Sequence, residues 1–137
     1  MITFLQGQLV EKQPTRVVLE VHGVGYEALI PLSSFDRLPL EGAACRLLTY
    51  EHIREDAHVL FGFMTAAERS MFVMLMSTSG VGPKIALAAL SGLRVSELTQ
   101  SIVQGDVKRL SSISGIGRKL AERMVVELKD KVSQADA

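Results

Sequence analysis

The chain has 137 residues, 47% of them hydrophobic, and a formal net charge of zero, which fits one soluble domain or two small ones. Its single cysteine, Cys45, excludes an internal disulfide and a cysteine-based zinc site, so we expect a buried, reduced thiol. No stretch is long enough to span a membrane, and the N-terminus lacks the pattern of a signal peptide. These features predict a cytoplasmic protein.

Charge is divided unevenly along the sequence. Residues 1–62 contain five Lys/Arg and eight Asp/Glu, a net charge of −3, whereas residues 63–137 contain ten and seven, a net charge of +3. Because attraction to phosphates needs only a local positive face, this asymmetry is a weak indication of a nucleic-acid-binding part in the second half.

The first half of the sequence has the pattern of β-strands. Short runs rich in Val, Ile, Leu, Tyr and Phe alternate with turn residues and predict five strands, near residues 2–10, 15–21, 24–30, 45–53 and 57–63. The segment PLSSFDRL predicts a short helix capped by Ser33 or Ser34. Five antiparallel strands with a small helix favour an OB-like barrel over residues 1–63, with a small sandwich as the alternative.

Helix signals replace strand signals after Phe63. Thr65 and Glu68 form a predicted capping box for a helix through AAERSMFVMLMS, and further helices are predicted in PKIALAALSG, VSELTQSIVQG, DVKRLSSI and residues 118–131. On the last helix we expect exposed pairs of Arg123 with Glu127 and of Glu127 with Lys131. The predicted fold class is therefore α+β with two domains, a barrel and an all-α domain over residues 64–137.

One short motif occurs twice in the helical part. Ser79–Leu90 aligns with Ser114–Val125 at a spacing of 35 residues. The aligned positions include Gly80, Gly82 and Lys84 in the first copy and Gly115, Gly117 and Lys119 in the second. Glycines on both sides of an apolar anchor allow a tight turn between helices, with positive φ and a backbone open to a ligand. The free N–H groups at the start of the next helix favour an anion such as phosphate.

Closely spaced glycines also occur in nucleotide-binding motifs. A dinucleotide-binding fold needs a strand before the glycines and a third glycine, and a nucleotide-triphosphate loop needs a Gly-Lys-Ser/Thr ending that neither copy has. A plain glycine-rich helical hairpin with a solvated lysine is the alternative, and the presence of a lysine in both copies argues against it. The pattern is that of helix-hairpin-helix motifs, which hold DNA backbones without reading sequence.

The residues predicted to bind phosphate lie in the two copies and on the following helix. Arg123 is included as a secondary ligand because it follows Lys119 by one helical turn. The full set is Ser79, Gly80, Val81, Gly82, Lys84, Ser114, Gly115, Ile116, Gly117, Arg118, Lys119 and Arg123. Val81 and Ile116 are expected to anchor the turns inward.

Nearly the whole chain resembles the RuvA family of Holliday-junction-binding proteins. The resemblance is carried, in order, by EKQPTRVVLEVHGVGYE, IREDAHVLFGF, TSGVGPKIALAALSG and SGIGRKLAERMVVELKD. It implies an OB-like barrel, a domain with two helix-hairpin-helix motifs, and a homotetramer, or two forming an octamer. This assembly would hold a four-way junction open for branch migration by the RuvB motor in recombination and DNA repair, with the RuvC resolvase as a further partner.

The resemblance also assigns a role to Glu55 and Asp56, in the segment REDAH. In RuvA-like proteins this position is an acidic pin, four copies of which meet at the junction centre and repel phosphates; a solvated turn is the plain alternative. Arg54 beside it is predicted either to contact phosphate or to offset local charge. We expect no catalytic residue, no metal site and no cofactor, and we assign no chemistry to the histidines.

The sequence departs from the family at its end. RuvA proteins usually continue through a linker into a third domain that engages the motor, whereas this sequence stops at KVSQADA. We therefore expect the motor-binding domain to be missing here. The alternative functions are a helix-hairpin-helix base-excision enzyme, a single-strand-binding barrel, and a general helix-hairpin-helix DNA-binding module without junction specificity.

Overall fold

A computed structural model describes residues 1–135, with side chains up to Ser133. The chain divides into two compact units, Met1–Arg69 and the part from Ser70 onward. A closed five-stranded barrel is followed by helices, so the predicted fold class is confirmed. None of the described helices combines the length and the apolar character that a membrane span requires.

The barrel consists of β1 (Phe4–Gln13), β2 (Arg16–Val21), β3 (Val24–Leu29), β4 (Ala44–Arg54) and β5 (Ala57–Phe63). The strand order is β1-β2-β3-β5-β4, and β4 pairs with β1 to close the barrel. All pairs are antiparallel except β3 with β5, which meet in parallel at Leu29 and Phe61. Closure removes exposed sheet edges, as the OB-like prediction requires, and excludes the sandwich.

Two features of sequence determine how the barrel closes. His22 and Gly23 have φ of 50° and 86°, the positive values that a two-residue hairpin turn between β2 and β3 needs. At Gly7 a Cβ atom would lie 2.1 Å from the main-chain oxygen of Glu20, so only glycine permits β1 to approach β2 this closely. The most deeply buried residues of the barrel include Leu9, Val17, Leu19, Leu47 and Phe63, each 0% exposed.

Cys45 is buried in the barrel core, as the sequence predicts, and burial raises the pKa of its thiol. A thiol that is both buried and harder to ionise is a poor nucleophile. The residue therefore acts in this barrel as a small apolar side chain.

The short helix α1 (Leu32–Phe35) begins differently from the prediction. Its N-cap is Pro31, and neither Ser33 nor Ser34 caps it. Both hydroxyls donate instead to Oε2 of the buried Glu68, at 2.6 and 2.8 Å. The cap prediction was wrong because the helix already begins at Leu32, so that both serines lie inside it and not at its start.

The remaining helices are α2 (Ala66–Met76), α3 (Pro83–Gly92), α4 (Val95–Gln104), α5 (Val107–Leu110) and α6 (Arg118–Ala135). Thr65 caps α2, since its Oγ1 accepts from the Glu68 amide at 3.2 Å. Met124 and Leu128, four residues apart on α6, are fully buried, and this helix continues beyond the predicted end at Lys131. Asp136 and Ala137, the last residues of the segment KVSQADA, lie outside the described residues.

Candidate nucleic-acid interface

The repeated motif forms two helical hairpins with the same backbone. We call Thr78–Lys84 the first hairpin and Ile113–Lys119 the second. Gly80 and Gly115 have φ of 91° and 88°, a conformation that side-chain-bearing residues rarely adopt. The next residues, Val81 and Ile116, are 6% and 4% exposed, so the anchors point inward as predicted.

The two hairpins pack against each other reciprocally. A Cβ atom on Gly80 would lie 3.4 Å from Cδ1 of Leu120, and one on Gly115 would lie 3.6 Å from Cγ1 of Ile85. Residues 85 and 120 are themselves related by the 35-residue spacing of the motif. Exchanged contacts of this kind define a local two-fold relation, so the two bends lie side by side.

Gly82 and Gly117 are not explained by the fold of the chain. Gly82 has φ of −97°, which any residue can adopt, and Gly117 is not among the residues with positive φ. A Cβ atom at either position would meet nothing within 4 Å. The missing side chains therefore leave room on the outer surface of each bend, where the backbone of a ligand can approach.

Main-chain donors are available at these bends. The first bond of each helix runs from the Ala86 amide to the Gly82 oxygen, or from Ala121 to Gly117, both at 3.0 Å. The amides of residues 82 and 84, and of residues 117 to 119, have no acceptor within the part of the chain that the structure describes. Free amides at a helix start, together with the helix dipole, favour an anion.

Three amides of the predicted set already have acceptors. Those of Val81 and Ile116 donate to the main-chain oxygens of Thr78 and Ile113, at 3.1 and 3.0 Å. The Ser79 amide donates to Oε1 of Glu127 at 3.3 Å. Unlike the amides at the helix starts, these three are therefore not free to bind a phosphate in this structure.

The predicted ion pairs along α6 are replaced by contacts with the first hairpin region. Arg123 donates to the Ser79 oxygen at 3.4 Å, and Lys131 donates to Oγ of Ser77 at 3.2 Å. Neither the pair Arg123 with Glu127 nor the pair Glu127 with Lys131 forms among the described side chains. The prediction of these pairs was wrong because the three side chains reach across to residues 77–79.

Positive charge lies beside both bends. Lys84 and Lys119 are exposed, and Arg118, with a side chain 85% exposed, pairs with Glu122 at 3.1 Å.

Arg109 is instead held by Glu97, which also accepts from Arg94. The Arg94 amide is the main cause of a lowered pKa of the Glu97 carboxyl, to which the charges of Arg94 and Arg109 also contribute.

The segment predicted as an acidic pin is the tip of the β4–β5 hairpin, in the other compact unit. Glu55 and Asp56 form the two-residue turn after the last strand pair, Arg54 with Ala57, and residues 53–58 are all exposed. Nε of Arg54 donates to Nε2 of His52 at 2.8 Å. The tip therefore presents two carboxylates to solvent, while Arg54 is directed back along the strand.

The described residues contain no group of three or more His, Cys, Asp or Glu side chains that could hold a metal ion.

Three residues at the hairpins were not predicted from the sequence as part of the site: Ile85, Leu120 and Glu127. Extending the 35-residue spacing past the lysines would have paired Ile85 with Leu120. The contact of Glu127 with Ser79 has no such signal, because it joins residues 48 positions apart.

Comparison with known proteins agrees with both units. Residues 1–62 match the family model for the RuvA N-terminal domain, and residues 72–130 match that for a SAM-like helix-hairpin-helix tandem. Proteins named Holliday junction branch migration complex subunit RuvA are 51% identical in Syntrophotalea carbinolica, 52% in Acidithiobacillus ferrooxidans and 48% in Geobacter sulfurreducens. The alignments cover 100%, 96% and 99% of this chain and 69%, 68% and 68% of those relatives. The chain belongs to the RuvA family.

Proposed function

We propose that this chain binds four-way (Holliday) DNA junctions without reading base sequence, as the DNA-binding subunit of a branch migration complex. The observation that carries the proposal is the pair of glycines, Gly82 and Gly117, that the fold itself does not require. Each stands beside free amides and an exposed lysine. Its relatives bear the name of a junction branch migration subunit, in agreement with this function.

The two hairpins would act on the sugar-phosphate backbone. At each bend, main-chain N–H groups and the positive end of the helix dipole bind a phosphate, and Lys84 or Lys119 adds a full charge. Because the bends lie side by side, they can engage neighbouring phosphates of one duplex arm. These contacts position the protein but carry no sequence information, which suits a substrate defined by its branching.

The acidic tip would supply selectivity for the junction. In a homotetramer, four copies of Glu55 and Asp56 would meet where the four arms diverge. Carboxylates close to phosphates in a confined space repel a continuous duplex backbone and favour separated strands. The strands of the β4–β5 hairpin present both side chains at their exposed turn.

The phosphate contacts are tested by replacing each lysine. We expect Lys84→Ala and Lys119→Ala each to weaken binding of all sequences alike and to lower the slope of log affinity against log salt by about one. Lys129→Ala removes the same charge from an exposed position of α6 and serves as the control. Gel shifts with a four-way junction, a duplex and a single strand of equal length provide the measurement; unchanged affinity and slope in both variants contradict the proposal.

The acidic tip is tested separately, because a general helix-hairpin-helix binder would share the hairpins but not the junction preference. Glu55→Gln combined with Asp56→Asn is expected to raise duplex binding and reduce the preference for a junction. Asp36→Asn with Glu41→Gln makes the same change in net charge at two other exposed positions of this unit. If both double variants behave alike, the general binder is the better description.

The proposal includes partners that the hairpins alone do not specify. We propose a homotetramer, one or two per junction, that acts with the RuvB motor and the RuvC resolvase in the cytoplasm. In this assignment the chain is non-catalytic, and ATP hydrolysis belongs to the motor. Membership of the RuvA family supports these partners, and light scattering with and without junction DNA measures the subunit number.

A further inference from the structure

The two hairpins differ in what covers the first residue of the bend. The 35-residue spacing relates Ser79 to Ser114, and it relates Arg123 and Glu127 of α6 to Ala88 and Gly92 of α3. Ser79 has a carboxylate on its amide, at 3.3 Å, and a guanidinium on its oxygen, at 3.4 Å. Ala88 and Gly92 have no polar side chain with which to cover Ser114.

The carboxylate of Glu127 is held in place by its own helix. Arg123 and Lys131, one turn before and one turn after it, both contact residues 77–79. These flanking contacts keep this face of α6 against the loop, so Glu127 remains close to the Ser79 amide. The carboxylate there takes the position of an anionic ligand, because it uses a donor that a phosphate would otherwise use.

From this difference we propose that Glu127 makes the first hairpin the weaker of the two phosphate sites, by occupying the Ser79 amide and repelling an approaching phosphate. The inference rests on the proposed function, since it concerns the same two hairpins. Within the described residues, the Ser114 and Gly115 amides of the second hairpin have no acceptor. Two exposed cations lie beside them, Lys119 and Arg118, of which Arg118 pairs with Glu122. The second hairpin therefore anchors the DNA, and the first hairpin completes the contact only when Glu127 is displaced.

The experiment is a comparison of Glu127→Gln with Asp130→Asn. Both remove one negative charge from the same helix, but Asp130 is exposed and contacts neither hairpin among the described residues. We expect Glu127→Gln to bind a duplex about two- to fivefold more tightly at low salt, which is the size of one exposed charge–charge interaction. Asp130→Asn is expected to change the affinity by less than about 1.5-fold, because an exposed, more distant charge is screened.

Two further variants test whether the gain in DNA affinity from Glu127→Gln arises at the first hairpin. In Gly82→Ala, which obstructs the first hairpin, the gain from Glu127→Gln should disappear, whereas in Gly117→Ala it should remain. A gain equal to that of Asp130→Asn, or one that remains in Gly82→Ala, overturns the inference. Failure of the proposed function looks different, since Lys84→Ala and Lys119→Ala would then leave DNA binding unchanged.

A measurement without DNA tests the contact itself. Amide hydrogen exchange of Ser79 should be slower than that of Ser114, and Glu127→Ala should remove this protection while leaving Ser114 unchanged. If Ser79 exchanges as fast as Ser114 before the substitution, Glu127 does not occupy the amide and the inference is wrong.

Discussion

The two hairpins have one backbone geometry and two different chemical surroundings. In both, a glycine at positive φ, an inward apolar anchor and a bond to the residue three positions earlier define the bend. The surroundings differ because α6 carries Arg123 and Glu127 where α3 carries alanine and glycine. Repetition of a motif therefore establishes a shape, while the helix packed against each copy determines how strongly that shape attracts an anion.

The largest expected effect is on the free energy of unfolding, when the glycine that each bend requires is replaced. Gly80→Ala and Gly115→Ala should each destabilise the fold by about 1–3 kcal/mol, because alanine is strained at φ near 90°. Gly82→Ala and Gly117→Ala should stay within about 0.5 kcal/mol of the parent, since their backbone is relaxed and the added methyl meets open space. Urea unfolding measures all four; similar costs within either motif would mean that the two glycines of a bend have the same role.

The second-largest effect is a difference between the hairpins in how much each contributes to DNA affinity. Gly117→Ala is expected to weaken duplex binding by about tenfold, because its methyl group blocks the approach to free amides. Gly82→Ala should cost about threefold, since the first hairpin contributes less. Titrations at one fixed salt concentration measure both, and a larger loss for Gly82→Ala would reverse the order of the two sites.

A smaller effect is expected from the residue that opens each hairpin. Thr78 stands where the second hairpin has Ile113, and its buried Oγ1 has no hydrogen-bond partner among the described atoms. Thr78→Val should stabilise the fold by about 1 kcal/mol, because it removes an unsatisfied hydroxyl at nearly constant shape. Thr99→Val, at a partly exposed position of α4, is the control, and thermal unfolding gives both values. No gain at Thr78 would show that its hydroxyl is satisfied in solution.

The smallest effect concerns the helices that lead into the second hairpin. Glu97 on α4 pairs with Arg109 on α5, and the pKa of its carboxyl is lowered mainly by the Arg94 amide. A lowered pKa in the folded state means that the contribution is present above the unfolded pKa and is lost as the pH falls through the folded one. Glu97→Gln should therefore reduce the unfolding midpoint in urea at neutral pH and have little effect at acidic pH. A pH-independent difference would point to packing instead of charge.

Much of the fold follows from short patterns in the sequence. Short apolar runs separated by turns such as His22-Gly23 indicate the strands of a small barrel. The apolar residues Met124 and Leu128, four positions apart, indicate the buried face of α6. Predictions of hydrogen-bond and ion-pair partners failed more often than predictions of helices and strands. Ser33, Ser34 and Glu127 all found partners far along the chain, at Glu68 and Ser79, because buried or constrained groups compete with local ones.

The candidate site was predictable where it depends on backbone conformation. The spacing of Gly80, Val81 and Gly82, repeated in the second copy, indicates the bends directly. Which amides remain free was not predictable, since this depends on side chains that reach the loop from α6. DNA contact by these residues stays a prediction that the variants above test.

The β4–β5 ladder gives the acidic tip a fixed position. Its register is unbroken over seven consecutive pairs, from Leu48 with Phe63 in the barrel to Arg54 with Ala57 at the turn. Because each pair ties one strand to the other, neither strand can slide past its partner without changing the pairs that continue into the barrel. The tip is thus held in register with a packed core, and a one-residue slip at the turn would turn the apolar side chains of both strands away from the barrel interior.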